Sequence, residues 1–222
     1  MTSRRLVVFD LDGTLIDTAP DLTAALNHVL TTLERPTVPE DSVRHMVGHG
    51  ARMLLRRGLA ASGPEPSDAD VEALMPAFLE YYGAHVADLS APFPGMAEAL
   101  DELAAAGAGF GICTNKPEAL SVSLIQLLGL AGRFPVIVGA DTLPVRKPDP
   151  APLVHAVARL GGALEHTVYV GDSETDVKTA RAAGVPVVVV SWGYTPIAPA
   201  ELGGDTLITQ FSELAAAVRA LS

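Results

Sequence analysis

Asp10 and Asp12 stand one residue apart in Phe9-Asp10-Leu11-Asp12-Gly13-Thr14-Leu15, a spacing that gives one carboxylate as nucleophile and another as proton carrier. Three further segments complete a plausible reaction centre: Thr114-Asn115-Lys116, Arg146-Lys147-Pro148, and Gly171-Asp172-Ser173-Glu174-Thr175-Asp176. A carboxylate at Asp10 can attack phosphorus and form an acyl phosphate. Asp12, redirected by the turn at Gly13, can protonate the departing alkoxide and later take a proton from water. An aspartate ordinarily titrates near about 3.9, so this second role calls for burial that raises its pKa. A carboxylate and a phosphoryl group repel each other, and Mg²⁺, which takes hard oxygen ligands, is the expected remedy. Asp10 and Asp172 are the expected side-chain ligands, while Asp176 is placed behind them, orienting water or Lys147. The Thr114 hydroxyl and neighbouring backbone N–H groups can hold phosphoryl oxygens, and Lys147 can offset their charge. Gly13, Thr14 and Asn115 are expected beside the same phosphate.

These residues are useful only if the fold gathers them. Five short apolar runs recur at Leu6–Phe9, Gly109–Cys113, Val136–Val138, Thr167–Val170 and Pro186–Val190. They are continuous rather than alternating, as parallel strands covered on both faces require. Helical patterns at Ala97–Ala106, Glu118–Leu128, Pro150–Leu160 and Thr175–Ala183 lie between the later runs. The chain therefore reads as α/β, with a Rossmann-like, mostly parallel sheet. In such a sheet, ligands bind outside the carboxyl ends of the strands, which is where the four segments fall.

The interval between the first two strands is far longer than one crossover helix. Leu22, Leu26, Val29, Leu30 and Leu33 share one helical face, as do Val71, Leu74, Met75, Phe78, Leu79 and Tyr82. Ser67 and Asp70 have capping-box spacing at the start of the second of these helices, and Ala51–Ala60 reads as another helix. Pro92, Pro94 and Gly95 mark a linker at the exit. Residues 18–87 are thus expected to form an α-helical cap inserted in a core made of 1–17 and 88–222. Over the leaving group, the Gly48-His49-Gly50 turn and Arg52 in the helix after it are expected to recognise the substrate, with Arg56 and Arg57 as rivals.

Composition narrows the classes. A net charge of −11 argues against non-specific nucleic-acid binding, which needs clustered Lys and Arg. No apolar run reaches the about 20 residues of a membrane span, and Arg4-Arg5 precede too short a run for a secretory signal. Cys113, alone in the chain, cannot form an internal disulfide and reads as a buried strand residue in a cytoplasmic protein. His45 and His49 are four apart, but Met46 and Gly48 spoil a zinc helix. Gly107, Gly109 and Gly111 do not open a helix after a strand, so they are no dinucleotide fingerprint.

Each segment alone has a structural reading: Asp caps turns and helices, and a lysine before proline is usually solvated. Together and in order, the segments resemble the haloacid dehalogenase superfamily in its phosphatase form. Phe9–Leu15 is similar to its first motif, Thr114 to the second, Lys147 to the third, and Gly171-Asp172 with Asp176 to the fourth. The resemblance covers essentially the whole chain and includes that superfamily's small helical cap. It implies the Asp12 main-chain carbonyl as a further metal ligand. Asp17-Thr18-Ala19-Pro20-Asp21 and Val47-Gly48-His49-Gly50 are most similar to bacterial phosphoglycolate phosphatases. The implied activity is hydrolysis of a small phosphorylated metabolite, 2-phosphoglycolate, by a monomer or homodimer. Pyrophosphate hydrolysis, phosphoryl transfer as in β-phosphoglucomutase, and a non-catalytic phosphometabolite-binding protein are the alternatives. A dehalogenase lacks the second acid that Asp12 supplies, and a phosphonate hydrolase would need a cap lysine where residues 18–86 contain none.

Overall fold

The computed structural model describes residues 4–221. Leu6–Phe9 forms β1, and its side chains alternate between layers: Val7 and Phe9 join one apolar cluster, Leu6 and Val8 the other. This two-sided burial is why the run is apolar at every position. A turn then leads into the short strand β2 (Ile16–Asp17) and four helices, α1 (Ala19–Thr32), α2 (Glu40–Arg44), α3 (Ala51–Ala61) and α4 (Asp68–Ala84). The chain returns through β3 (Ala91–Pro92) and continues as α5 (Met96–Ala105), β4 (Gly109–Cys113), α6 (Glu118–Leu127) and β5 (Ile137–Val138). It ends with α7 (Ala151–Arg159), β6 (Thr167–Gly171), α8 (Glu174–Ala183), β7 (Val187–Val190), β8 (Thr206–Ile208) and α9 (Leu214–Ala220).

Six strands form one sheet in the order β5-β4-β1-β6-β7-β8, and every neighbouring pair is parallel. The sheet grows outward from β1 in both directions, which sets a switch-point crevice at its carboxyl end. The α/β reading therefore holds. Three elements lay below what the sequence pattern resolves. Helix α2 is only five residues long, and β2 and β3 are two-residue strands that pair antiparallel, Ile16 with Pro92 and Asp17 with Ala91.

That small ribbon joins the two passages between the sheet and the α1–α4 helices. A second tie lies beside it: the buried Asp21 carboxylate in α1 accepts the Leu89 and Ser90 N–H groups and the Ser90 hydroxyl. Helix α4 starts at Ser67 with the expected capping box, its hydroxyl accepting the Asp70 N–H while Asp70 accepts the Ser67 N–H. Such a cap contributes about 1 kcal/mol. Val71, Phe78 and Tyr82 of α4 are buried, and α4 packs on α1 and α3. Helix α3 approaches α1 at Gly58, where a Cβ would fall 2.3 Å from Leu26 Cδ1. The apolar cluster runs without a break from Phe9 and Ile112 of the sheet to Leu26, Leu55 and Phe78 of these helices.

Candidate active site

The Asp10 backbone N–H still bonds Val170 O at 2.9 Å, so the residue leaves the sheet only after its side chain has been aimed off the strand end. Its Oδ1 accepts the Leu11 N–H at 2.7 Å and lies 3.0 Å from Lys147 Nζ. Burial pushes the Asp10 carboxyl up to about 6 against the pull of the Lys147 ammonium, with Asp176 and Asp12 adding to the rise. Gly13 follows with φ +79°, where a Cβ would stand 2.8 Å from both Asp172 Oδ2 and the Tyr194 ring. Glycine is thus required twice, by backbone conformation and by the carboxylate it lets approach.

Asp172 ends β6. Its Oδ2 accepts the Tyr194 N–H at 2.7 Å, and its Oδ1 accepts the Thr14 hydroxyl at 3.3 Å. Burial, then the Asp176 and Asp10 charges, hold the Asp172 carboxyl well above the usual range. Asp176 opens α8 in a capping box with Ser173, whose N–H and hydroxyl donate to Asp176 Oδ2 at 3.0 and 2.6 Å. Its other oxygen accepts Lys147 Nζ at 2.6 Å and the Tyr169 hydroxyl at 3.1 Å.

Ligand oxygens of Asp10, Asp172 and Asp176 lie within 4.8 Å of one another, all three residues buried, so the cluster could hold a metal ion. The donor set fits a hard divalent cation: three carboxylates converge where, among the described residues, Lys147 is the one ammonium that contacts them. Asp176 already spends both oxygens on Lys147, Tyr169 and Ser173, which leaves Asp10 and Asp172 as the better-placed direct ligands. Burial of Lys147 works against its charge, but Asp10 and Asp176 outweigh it and keep the ammonium protonated.

Thr114 follows β4 and is buried, its N–H bonded to Val138 O at 2.9 Å and its hydroxyl accepting the Lys116 N–H at 3.2 Å. The Asn115 amide donates to Lys147 O at 3.1 Å, tying the second segment to the third. Its Oδ1 is the one buried side-chain polar atom without a partner among the described residues. Asp12 Oδ1 accepts the Thr18 hydroxyl at 2.8 Å and Lys116 Nζ at 3.0 Å. Asp10, Asp12, Thr114, Asn115 and Lys116 form one wall of a cavity. Leu22, Val47, Leu54, Phe78, Leu79 and Tyr82 from the inserted helices and their turns face them.

The turn expected to contribute from the insertion is only partly there. Gly48, Gly50 and Ala51 line the cavity, whereas His49 is exposed and outside the lining. The expectation that Arg52 reaches over the leaving group is corrected. Its guanidinium bonds Glu72 at 2.6 Å, with Asp68 at 3.6 Å, on the partly exposed side of α3. Arg56 pairs with Asp68, and Arg57 caps the carbonyls of His45 and Met46. Thr14 points to Asp172 rather than into the cavity.

Three residues without a sequence-derived role belong to the site. Lys116 stood in view, beside Thr114, but only its ion pair with Asp12 reveals its place. Tyr82 carried only a core signal, yet its hydroxyl accepts from Lys116 Nζ, and the ammonium lies 4.3 Å from its ring centroid. Tyr194 had no signal; its hydroxyl bonds Asp17 and accepts the Thr18 and Ala19 N–H groups while its own N–H holds Asp172. Cys113 is buried as expected, and burial pushes its thiol up to about 12. Among the described residues, no helix is long and apolar enough to cross a membrane.

Comparison with known proteins agrees with this geometry. The family model for haloacid dehalogenase-like hydrolases matches residues 7–190. The chain is 48% identical over 209 residues to a phosphoglycolate phosphatase of Caulobacter vibrioides, covering 94% of this chain and 88% of that one. It is 44% identical over 212 residues to a phosphoglycolate phosphatase of Mesorhizobium japonicum, covering 96% and 93%. A crystal structure described as a predicted phosphoglycolate phosphatase from Haemophilus somnus 129PT superposes with a TM-score of 0.89 at 30% identity, covering 98% of this chain and 99% of that one.

Proposed function

The chain belongs to the haloacid dehalogenase-like hydrolase family and is a phosphoric monoester hydrolase, and we propose that it hydrolyses 2-phosphoglycolate to glycolate and phosphate with Mg²⁺ as cofactor. The observation that carries this reading is the Asp10 carboxylate, set at the end of β1 against Lys147 and opening onto a cavity walled by the inserted helices. Relatives that align over more than nine-tenths of this chain carry the name of this substrate.

Asp10 Oδ1 is occupied by the Leu11 N–H and Lys147, which leaves Oδ2 to attack phosphorus. An O–P bond forms to Asp10 as the bond from phosphorus to the glycolate oxygen breaks, and Asp12 delivers its proton to that oxygen. Water then attacks the phosphorus of the aspartyl phosphate, Asp12 takes the water proton, and Asp10 is released as carboxylate. Thr114 and Lys147 hold the phosphoryl oxygens through both steps, with Asp176 and Tyr169 fixing the lysine. Mg²⁺ held by Asp10 and Asp172, with the Asp12 carbonyl, would screen the phosphoryl charge from the attacking carboxylate.

Residues 18–87 act in this reading as a cap over the core formed by 1–17 and 88–222, joined through the β2–β3 ribbon. Its apolar wall excludes water while the acyl phosphate exists. The test is phosphate release by the purified protein with Mg²⁺ and with EDTA, across 2-phosphoglycolate, pyrophosphate, hexose phosphates and nucleotides. The expected result is Mg²⁺-dependent turnover with the highest kcat/KM for 2-phosphoglycolate. Preference for pyrophosphate or a hexose phosphate would overturn the substrate, and no turnover on any of them would favour a phosphometabolite-binding protein.

A further inference from the structure

We propose that Lys116 is the specificity residue of this site, binding the carboxylate of the substrate; the assignment rests on the 2-phosphoglycolate reading above. The phosphate end of the cavity treats phosphomonoesters alike, so discrimination has to come from what surrounds the leaving group. The inserted helices offer that group Leu22, Val47, Leu54, Phe78 and Leu79, which carry no charge. Among the described residues that line the cavity, Lys116 is the one side-chain cation.

Its placement suits the task. Lys116 is 5% exposed, so its ammonium meets an anion largely free of competing water. An ammonium has three N–H donors, and here two are spent, on Asp12 Oδ1 and the Tyr82 hydroxyl. The third is left for a ligand. Nζ lies 3.0 Å from Oδ1 of Asp12, the residue whose carboxyl group serves the ester oxygen in the proposed reaction. In 2-phosphoglycolate the carboxylate carbon is two bonds beyond that ester oxygen, which brings the anion to Lys116 rather than to a more distant cation. The first turn of α3 also faces the cavity through Gly50 and Ala51, without a side-chain cap, and its dipole favours the same negative end. The cations of α3 itself are committed elsewhere: Arg52 to Glu72, Arg56 to Asp68, and Arg57 to backbone carbonyls.

The contact with Tyr82 adds a consequence. Lys116 belongs to the loop after β4 and Tyr82 to α4, so the residue that reads the carboxylate also touches the inserted helices. Recognition by Lys116 thus requires those helices to be seated over the rim.

The test compares kcat/KM for 2-phosphoglycolate and for ethyl phosphate, the same ester without the carboxylate, in the full-length protein with Mg²⁺. The preference of the wild-type protein for 2-phosphoglycolate is expected to fall about 10- to 150-fold in Lys116→Met, the worth of one charged hydrogen bond. Lys116→Gln, which keeps a donor toward Asp12 and Tyr82 without the charge, is expected to lose the same preference and guards against a misfolded Met variant. Residual turnover of ethyl phosphate reports that each variant is folded. Equal loss on both substrates makes Lys116 a structural partner of Asp12 and overturns the assignment, as does a preference lost in Arg52→Ala but kept in Lys116→Met. A wild-type protein without preference for 2-phosphoglycolate overturns both the substrate and this assignment, whereas a preference that survives Lys116→Met overturns the assignment alone.

Discussion

Asp176 Oδ1 lies 2.6 Å from Lys147 Nζ, and neither side chain is more than 1% exposed. The lysine is therefore pinned from behind by one carboxylate while it presents its charge to another, Asp10, at 3.0 Å. Asp176 is in turn fixed by the capping box of α8, so the start of a helix sets the position of the ammonium.

Removing that lysine should cost stability before it costs chemistry. Lys147→Met leaves Asp10 and Asp176 buried without a cation, a situation that destabilises by about 3–5 kcal/mol. Urea unfolding in EDTA should show the loss, and adding Asp176→Asn should recover part of it through a favourable coupling between the two changes. A Met variant as stable as the wild type would show that the carboxylates are held neutral without help from Lys147.

Asp10→Asn should separate function from fold. An amide is a poor nucleophile, so kcat is expected to fall by about 10⁴-fold or more, as when nucleophiles of other covalent enzymes are removed. The carboxyl is raised to about 6 by burial, so its ionised form weighs against the native state at neutral pH. The Asn variant should therefore be at least as stable as the wild type in EDTA. Substantial turnover by the pure variant would end the covalent mechanism.

Mg²⁺ should stabilise the native protein through Asp172. At a concentration 100-fold above its Kd, a ligand adds about 2.7 kcal/mol, roughly 5–11 °C in Tm for a chain of this size. Asp172→Asn should lose that shift, and so should Gly13→Ala, whose added Cβ would stand 2.8 Å from Asp172 Oδ2. An undiminished Mg²⁺ shift in Asp172→Asn would remove Asp172 from the ligand set.

The tie between the sheet and α2 should weaken in acid. Asp17 bonds Arg44 at 2.9 Å and the Tyr194 hydroxyl at 2.5 Å. Burial works to raise the Asp17 carboxyl, but Arg44 and Tyr194 outweigh it and hold it below 3.8. A depressed carboxyl contributes stability that is fully present above its unfolded value and lost as pH falls through the folded one. The stability difference between wild type and Asp17→Asn should thus be constant from neutral pH to about pH 5 and shrink below about pH 4. A difference that persists undiminished to pH 2.5 would place the contribution of Asp17 in packing rather than charge.

Much of the site was legible because a parallel sheet converts sequence into position. Once Leu6–Phe9, Gly109–Cys113 and Thr167–Gly171 are strands, Asp10, Thr114 and Asp172 must emerge at one edge, whatever separates them along the chain. Asp176 follows from Ser173 by helix-capping geometry alone. The register that sets Leu6 beside both Gly109 and Thr167 merely completes what the apolar runs imply.

The inserted helices obey no such rule. Periodicity shows that Leu22, Leu26 and Leu30 share a face of α1, and that Phe78 and Tyr82 share one of α4, but not how far each helix is rotated toward a distant rim. The position of Arg52 in the helix after the Gly48-His49-Gly50 turn suggests a place over the site, and the packing of α3 turns it instead to Glu72. Lys116 and Tyr82 are 34 positions apart, and Tyr194 and Thr18 are 176 apart, and no local pattern connects either pair. Strand ends are fixed by backbone hydrogen bonds that every residue can make, so their chemistry can be read from order along the chain. Side-chain partners across the two layers depend on the summed packing of many apolar contacts, and only the folded structure decides which polar groups that packing brings face to face.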